Sequence, residues 1–163
     1  MQQTNTQLPE IKLVGITART SNSAEMNPET AQIGATINKY FSQGIPQRVI
    51  NQVGNGKTYC VYTEYENGIF GQYTYFIGQE VTSFEGIADD LFKLTIPAQN
   101  YAKFTSDSGQ MPDVCIDVWQ NIWKMDALGF GGERTYIADF ELYDERAYDP
   151  QNTVLDVFIG IKK

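Results

Sequence analysis

The sequence predicts an α+β domain: a duplicated β-α-β-β unit whose strands form one curved antiparallel sheet, with two main helices on one face. Three observations predict it. The tetrads Tyr75-Phe76-Ile77-Gly78 and Val157-Phe158-Ile159-Gly160 nearly repeat one another. Each closes a half built in one order: an apolar alternating stretch, a loop, an amphipathic helix, a strand ending in aromatic-Glu, a turn, and the tetrad. The aromatic-Glu pairs are Tyr65-Glu66 and Phe140-Glu141, and they mark two glutamates at related places. Neither half alone covers its apolar helix face, so the halves are expected to share a core.

The elements follow in order. Residues 1–10 are polar and read as a disordered lead-in. Ile11 to Thr20 is rich in β-formers and reads as a strand. Asn27-Pro28-Glu29 reads as a helix start, with Asn as cap and Pro in the first turn. Ile33, Ile37, Tyr40 and Phe41 then share one helical face, and Gly44 and Pro46 end it. Lys57 to Glu66 is a strand, Asn67-Gly68 a hairpin loop, and Gln72 to Gly78 the return strand. Phe92 to Ser106 is extended and broken at Pro97, with Asn100 to Thr105 opening the second half. Met111-Pro112-Asp113 starts the second helix, which places Cys115, Ile116, Trp119, Ile122 and Trp123 on one arc. Gly129 suits a C-cap. Arg134 to Tyr143 and Val154 to Ile161 are the last strands, around a polar turn from Asp144 to Asn152. The helices are expected near 28–43 and 112–127, and the repeats near 11–90 and 91–163, within a single domain over 11–163.

The chain has 163 residues, enough to bury a core without covalent staples. Its formal charge of −8 disfavours contact with phosphate backbones, so direct nucleic-acid binding is not expected. The absence of histidine removes His-dependent triads and His-liganded zinc. Cys60 and Cys115 are far apart in sequence and lie in apolar-periodic segments, which reads as two buried thiols rather than a metal pair. No metal or cofactor is expected. The first residues carry no basic and apolar signal pattern, and no apolar run reaches membrane-spanning length, so a cytoplasmic protein is expected.

Glu141 is the leading functional candidate. Strand alternation places it with Ile137, Asp139 and Tyr143 on one side, and Tyr136, Ala138, Phe140 and Leu142 on the other. A carboxylate facing an aromatic-lined surface can pair with a bound cation; the alternative is an edge-strand glutamate in water. Trp119 and Trp123 are one helical turn apart and read either as core or as a pocket wall, since indole and phenol faces attract cations. One of the two is expected to meet a ligand and the other to be mainly core. Tyr59, Tyr62, Tyr65, Tyr73, Tyr75, Tyr136 and Tyr143 cluster around the two hairpins, as pocket lining or as sheet filling. Glu66, by contrast, reads as a solvated hairpin residue.

The repeated units, the strand Tyr73-Thr74-Tyr75-Phe76-Ile77-Gly78, the helix Val118-Trp119-Gln120-Asn121-Ile122-Trp123 and the motif Phe140-Glu141-Leu142-Tyr143 together resemble the GyrI-like effector-binding superfamily. These domains form the ligand-binding half of AraC-type and MerR-type multidrug regulators, and the similarity runs from about Ile11 to Lys163. Stand-alone members carried on integron gene cassettes are the nearest in kind. The resemblance implies an aromatic pocket where the halves meet, with one buried acid opposite cationic lipophilic small molecules. The Phe-Glu-X-Tyr match puts that acid at Glu141 and implies ligand-binding walls from Tyr143, Trp119, Trp123, Tyr65, Tyr75 and Tyr136. No catalytic residue is assigned. No DNA-binding module precedes Ile11, so a regulator is a conceivable protein partner. Two other readings stay open: a hydrolase of electrophilic small molecules using the same glutamate, and a protein-interaction module of the gyrase-inhibitor kind.

Overall fold

A computed structural model describes residues 1–162, so the last residue of the second repeat's expected range lies outside it. The strands are β1 (Gln2–Leu8), β2 (Ile11–Ser21), β3 (Thr58–Thr63), β4 (Gln72–Glu80), β5 (Phe92–Ile96), β6 (Gln99–Thr105), β7 (Glu133–Arg134), β8 (Ala138–Tyr143) and β9 (Asp156–Lys162). The helices are α1 (Asn22–Glu25), α2 (Ile33–Ser42), α3 (Ile45–Arg48), α4 (Asp113–Trp123) and α5 (Ala127–Phe130). All nine strands join one sheet in the order β1-β6-β9-β8-β3-β4-β2-β5, with β7 against β9, and every ladder is antiparallel.

The duplication is visible in the register. The first repeat is β2-α2-β3-β4 and the second β6-α4-β8-β9. Val61 pairs with Phe76 in one repeat, and Phe140 pairs with Phe158 in the other. Val61 and Phe140 then face each other across the seam. The local two-fold runs between these two residues, and it makes the two tetrads equivalent. The tetrad glycines are close-approach positions. A Cβ on Gly78 would sit 2.2 Å from the Val14 carbonyl oxygen, and one on Gly160 would sit 2.8 Å from the Thr135 hydroxyl.

The sheet curls strongly. Only Pro9 and Glu10 link β1, first in the order, to β2, seventh; only Pro97 and Ala98 link β5, last, to β6, second. Strands are spaced about 4.8 Å apart, so a flat sheet would separate β1 from β2 by about 29 Å, whereas two residues span about 11 Å. The sheet therefore bends into an open barrel. Its interior is an aromatic cluster of Tyr59, Phe76, Tyr101, Phe140 and Phe158, with Phe140 stacked on Phe158 at 4.5 Å. The outer face carries both main helices: α2 buries Tyr40 against Val14, Tyr75 and Ile77, and α4 buries Val114, Val118 and Ile122 against Ala102, Phe104, Val157 and Ile159.

Several expectations are corrected. Residues 2–8 are a strand, not a disordered lead-in: seven polar-rich residues form a largely exposed edge laddered to β6, with Leu8 packed on the barrel interior. The first helix starts at Ile33 rather than Pro28. Asn27 caps only a local turn, through the Glu29 N–H, while Glu25 accepts from the Gln32 and Ile33 N–H groups at the true entry. The second helix stops at Trp123, a new turn capped by Asp126 begins at Ala127, and the left-handed stop is Gly131 (φ +79°) rather than Gly129. The strand expected over 134–143 is broken at Tyr136, whose φ is +54°. Tyr65 and Glu66 lie beyond β3, because Glu64 takes φ +51° and turns the chain out of the ladder.

Candidate functional site

Glu141 sits in the middle of β8, at the seam of the repeats and on the helix-covered face. It is 4 % exposed. Its Oε2 accepts hydrogen bonds from the Tyr62 hydroxyl (2.7 Å) and the Trp119 indole N–H (2.7 Å). Its Oε1 accepts one from the Tyr143 hydroxyl (2.6 Å). Each donor comes from a different element: Tyr62 from β3, Trp119 from α4, and Tyr143 from β8 itself, two residues along and hence on the same side. The two-fold register explains the first. Cys60 lies opposite Glu141 and Tyr62 opposite Asp139, so the repeat counterpart of Glu141 is Tyr62. The glutamate pair expected from the aromatic-Glu dipeptides is therefore not a structural pair, and Glu66 is exposed.

Aromatic rings surround the carboxylate. Tyr62 is the hub, 5.1 Å from Trp119, 5.4 Å from Tyr75 and 5.6 Å from Tyr73, with edge-on or tilted geometry. Such contacts fall in the favourable range for aromatic pairs. Both thiols lie here as well. Cys60 is the cross-strand neighbour of Glu141, and Cys115 Sγ is 3.6 Å from the Tyr143 hydroxyl. Burial, and then the Glu141 charge, push the protons of Tyr62, Tyr143, Cys60 and Cys115 to higher pH. Burial raises Tyr75 in the same way, followed by Cys60 and then Glu141. At neutral pH these groups are therefore neutral donors. Among the described residues, no Lys or Arg stands within ion-pair distance of Glu141.

A second buried carboxylate stands beside it. Asp139 is fully buried and pairs with Arg134 at 2.6 Å. It also accepts from the Tyr65 hydroxyl (2.6 Å) and the Gly160 N–H (2.8 Å). Arg134 lies over the Tyr136 ring at 4.4 Å, and Tyr136 meets Tyr65 edge-on. Of the expected wall residues, Tyr143, Trp119 and Tyr75 thus gather at Glu141, while Tyr65 and Tyr136 serve Asp139. The two groups touch through Tyr73, 6.0 Å from Tyr65. Trp123 is neither core nor in contact with the acid: it is 59 % exposed and sits 6.4 Å from Trp119. The helix is turned so that Val114, Val118 and Ile122 point inward, which leaves Ile116 and Trp123 outside. Tyr62 is among the tyrosines read as pocket lining or sheet filling, but not among the walls the resemblance implies. Only the β3–β8 register singles it out from its neighbours.

A family model for integron-associated effector binding proteins matches residues 6–161. The chain belongs to that family. It is 28 % identical over 152 residues to YobU of Bacillus subtilis (strain 168), provisionally named a transcriptional regulator; the match covers 93 % of this chain and 92 % of YobU. Integron cassette protein VCH_CASS2, from the mobile metagenome of Vibrio cholerae, superposes with a TM-score of 0.78 at 26 % identity, covering 98 % of this chain and 95 % of that one. SAV2435, solved bound to tetraphenylphosphonium, shares the fold at 17 % identity and a TM-score of 0.73, over 99 % of this chain and 94 % of that one. The resemblance to GyrI-like effector-binding domains read from the sequence is thus borne out. Membership makes this an effector-binding domain, a small-molecule-binding class. Among the described residues, no helix is long and apolar enough to cross a membrane.

Proposed function

We propose that the chain binds bulky apolar organic cations at the seam of its repeats, with Glu141 as the counter-charge. One observation carries this reading: Glu141 is buried and receives three neutral donors, but no protein cation. Two phenols and an indole N–H are donors that an ionised carboxylate can take. Neutral tyrosines and an indole stabilise a carboxylate charge without cancelling it, so the site has a negative potential in a low-dielectric setting. Aromatic faces contribute about 0.5–2 kcal/mol per cation contact.

The geometry also speaks to ligand type. Oε2 already accepts twice and Oε1 once, so little acceptor capacity remains for an N–H donor. A cation whose charge is shielded or delocalised, offering no hydrogen-bond donor, suits this carboxylate. SAV2435 holds such a cation, tetraphenylphosphonium, in a similar fold. Entry follows α4: Trp123 is exposed, Trp119 is half-buried beside it, and Glu141 lies behind. A cation admitted beside Trp119 needs no acceptor position on the carboxylate, so the three neutral donors can stay in place.

A thermal-shift series tests this, because stabilisation follows affinity for the folded state. Tetraphenylphosphonium is expected to raise the melting temperature of the wild type and to leave Glu141→Gln unmoved. Equal shifts from tetraphenylphosphonium and the neutral triphenylphosphine oxide, in both proteins, would overturn the proposal.

A further inference from the structure

The barrel interior opens at one end, on the side of the sheet opposite Glu141. There the strand ends leave a cavity of about 380 Å³, within the size range of small-molecule sites. Its floor is apolar: Phe158, Phe140 and Leu142 line it. Its rim is charged, with Lys57, Lys103 and Arg146 set against Asp144 and Asp156.

The charges are not equally committed. Arg146 is held by both acids, with Nε 2.8 Å from Asp144 and a terminal nitrogen 2.6 Å from Asp156. Asp156 also accepts from the Thr105 hydroxyl at 2.6 Å. The acids therefore have partners without the lysines. Lys103 reaches Asp156 only at 3.9 Å and stands 5.6 Å from the Phe158 ring centroid, over the apolar floor. The Lys57 ammonium makes no hydrogen bond or ion pair among the described residues. Three cations and two anions line the mouth, and the Glu80 carboxylate stands beside it, 3.1 Å from the Tyr59 hydroxyl. Two ammonium groups with spare donors, an aromatic floor and a cavity of ligand size form an arrangement opposite in sign to the Glu141 site.

We propose that the barrel mouth is a second binding site, and that it takes a small organic monoanion with an apolar body, such as an aryl or medium-chain carboxylate. The anionic group engages Lys57 and Lys103, and the body lies against Phe158 and Leu142. The neighbouring carboxylates of Asp144, Asp156 and Glu80 disfavour a multiply charged phosphate. The two sites lie on opposite faces of one sheet and select opposite charges.

The test is an NMR titration of the full chain with 4-phenylbutyrate, with inorganic phosphate and 4-phenylbutylammonium as matched probes. The expected result is saturable shifts at Lys57–Tyr59, Leu142 and Phe158 with 4-phenylbutyrate alone. Lys57→Gln/Lys103→Gln should weaken binding at least about tenfold, while Glu141→Gln leaves it unchanged. Both lysines are partly exposed, so the double variant should keep the wild-type amide spectrum elsewhere. The matched ammonium probe makes the charge comparison with no substitution at all. Absence of saturable shifts, equal binding of phosphate or of the ammonium probe, or full binding by the folded double variant would each overturn the proposal.

Discussion

Asp139 and Glu141 stand two residues apart on one face of β8, both buried, and the protein treats them in opposite ways. Asp139 has its own cation, Arg134, plus a phenol and a backbone amide. Glu141 has two phenols and an indole, and no cation. Pairing inside the fold leaves Asp139 nothing to offer a ligand. Neutral donors hold Glu141 in place and leave its charge available. On the proposed reading, the contrast separates a structural carboxylate from a binding one more sharply than burial does, since both are buried.

Breaking the first pair should have the largest effect on stability. Arg134→Met leaves Asp139 charged, buried and without its cation, and should cost about 3–5 kcal/mol in urea unfolding. Restoring charge balance with Asp139→Asn in the same chain should recover part of that loss. A loss under 1 kcal/mol for Arg134→Met would show that the ion pair does not distinguish the two sites. Smaller effects are expected around Glu141. Tyr62→Phe or Tyr143→Phe each removes one hydrogen bond to a charged group, worth about 1.5–3 kcal/mol. The same variants should alter tetraphenylphosphonium affinity, which Tyr65→Phe should not. Trp123→Ala, at an exposed position, should change stability by no more than about 0.5 kcal/mol.

Ionisation of the site's phenols and thiols does not alter stability at neutral pH; its effect shows only in alkali. The folded state raises Tyr62, Tyr143, Cys60 and Cys115 above their ordinary values near 10 for phenols and 9 for thiols. The unfolded chain thus releases these protons first. The contribution of these four groups should be constant below about pH 8, and stability should fall as pH rises past 9 and 10. Melting temperature against pH checks this, and a flat profile to pH 11 would contradict the burial of these groups.

The sequence carried the duplication, the strand side of Glu141 and the pairing of helix with sheet, because all three rest on local periodicity. What it hid depends on long-range register. Tyr62 becomes the partner of Glu141 only once Val61 faces Phe140 across the seam. Matching aromatic-Glu dipeptides instead pointed to Glu66, which an αL turn at Glu64 carries out of the sheet. Arg134 and Asp139 lie five residues apart around a break at Tyr136, so no strand period joins them. Strand β1 has no apolar alternation to read, since backbone pairing with β6 and one end residue, Leu8, hold it. The barrel mouth gathers residues from β1, β3, β6, β8 and β9 with the turns beside them, which come together where two-residue links curl the sheet.

Calorimetry of tetraphenylphosphonium against wild type and Glu141→Gln is the most direct test of the central claim. The substitution keeps shape and deletes the charge that lacks a protein partner. The account predicts a loss of about 2–5 kcal/mol in cation affinity, with triphenylphosphine oxide affected little. Retained cation affinity in a folded Glu141→Gln protein would contradict it.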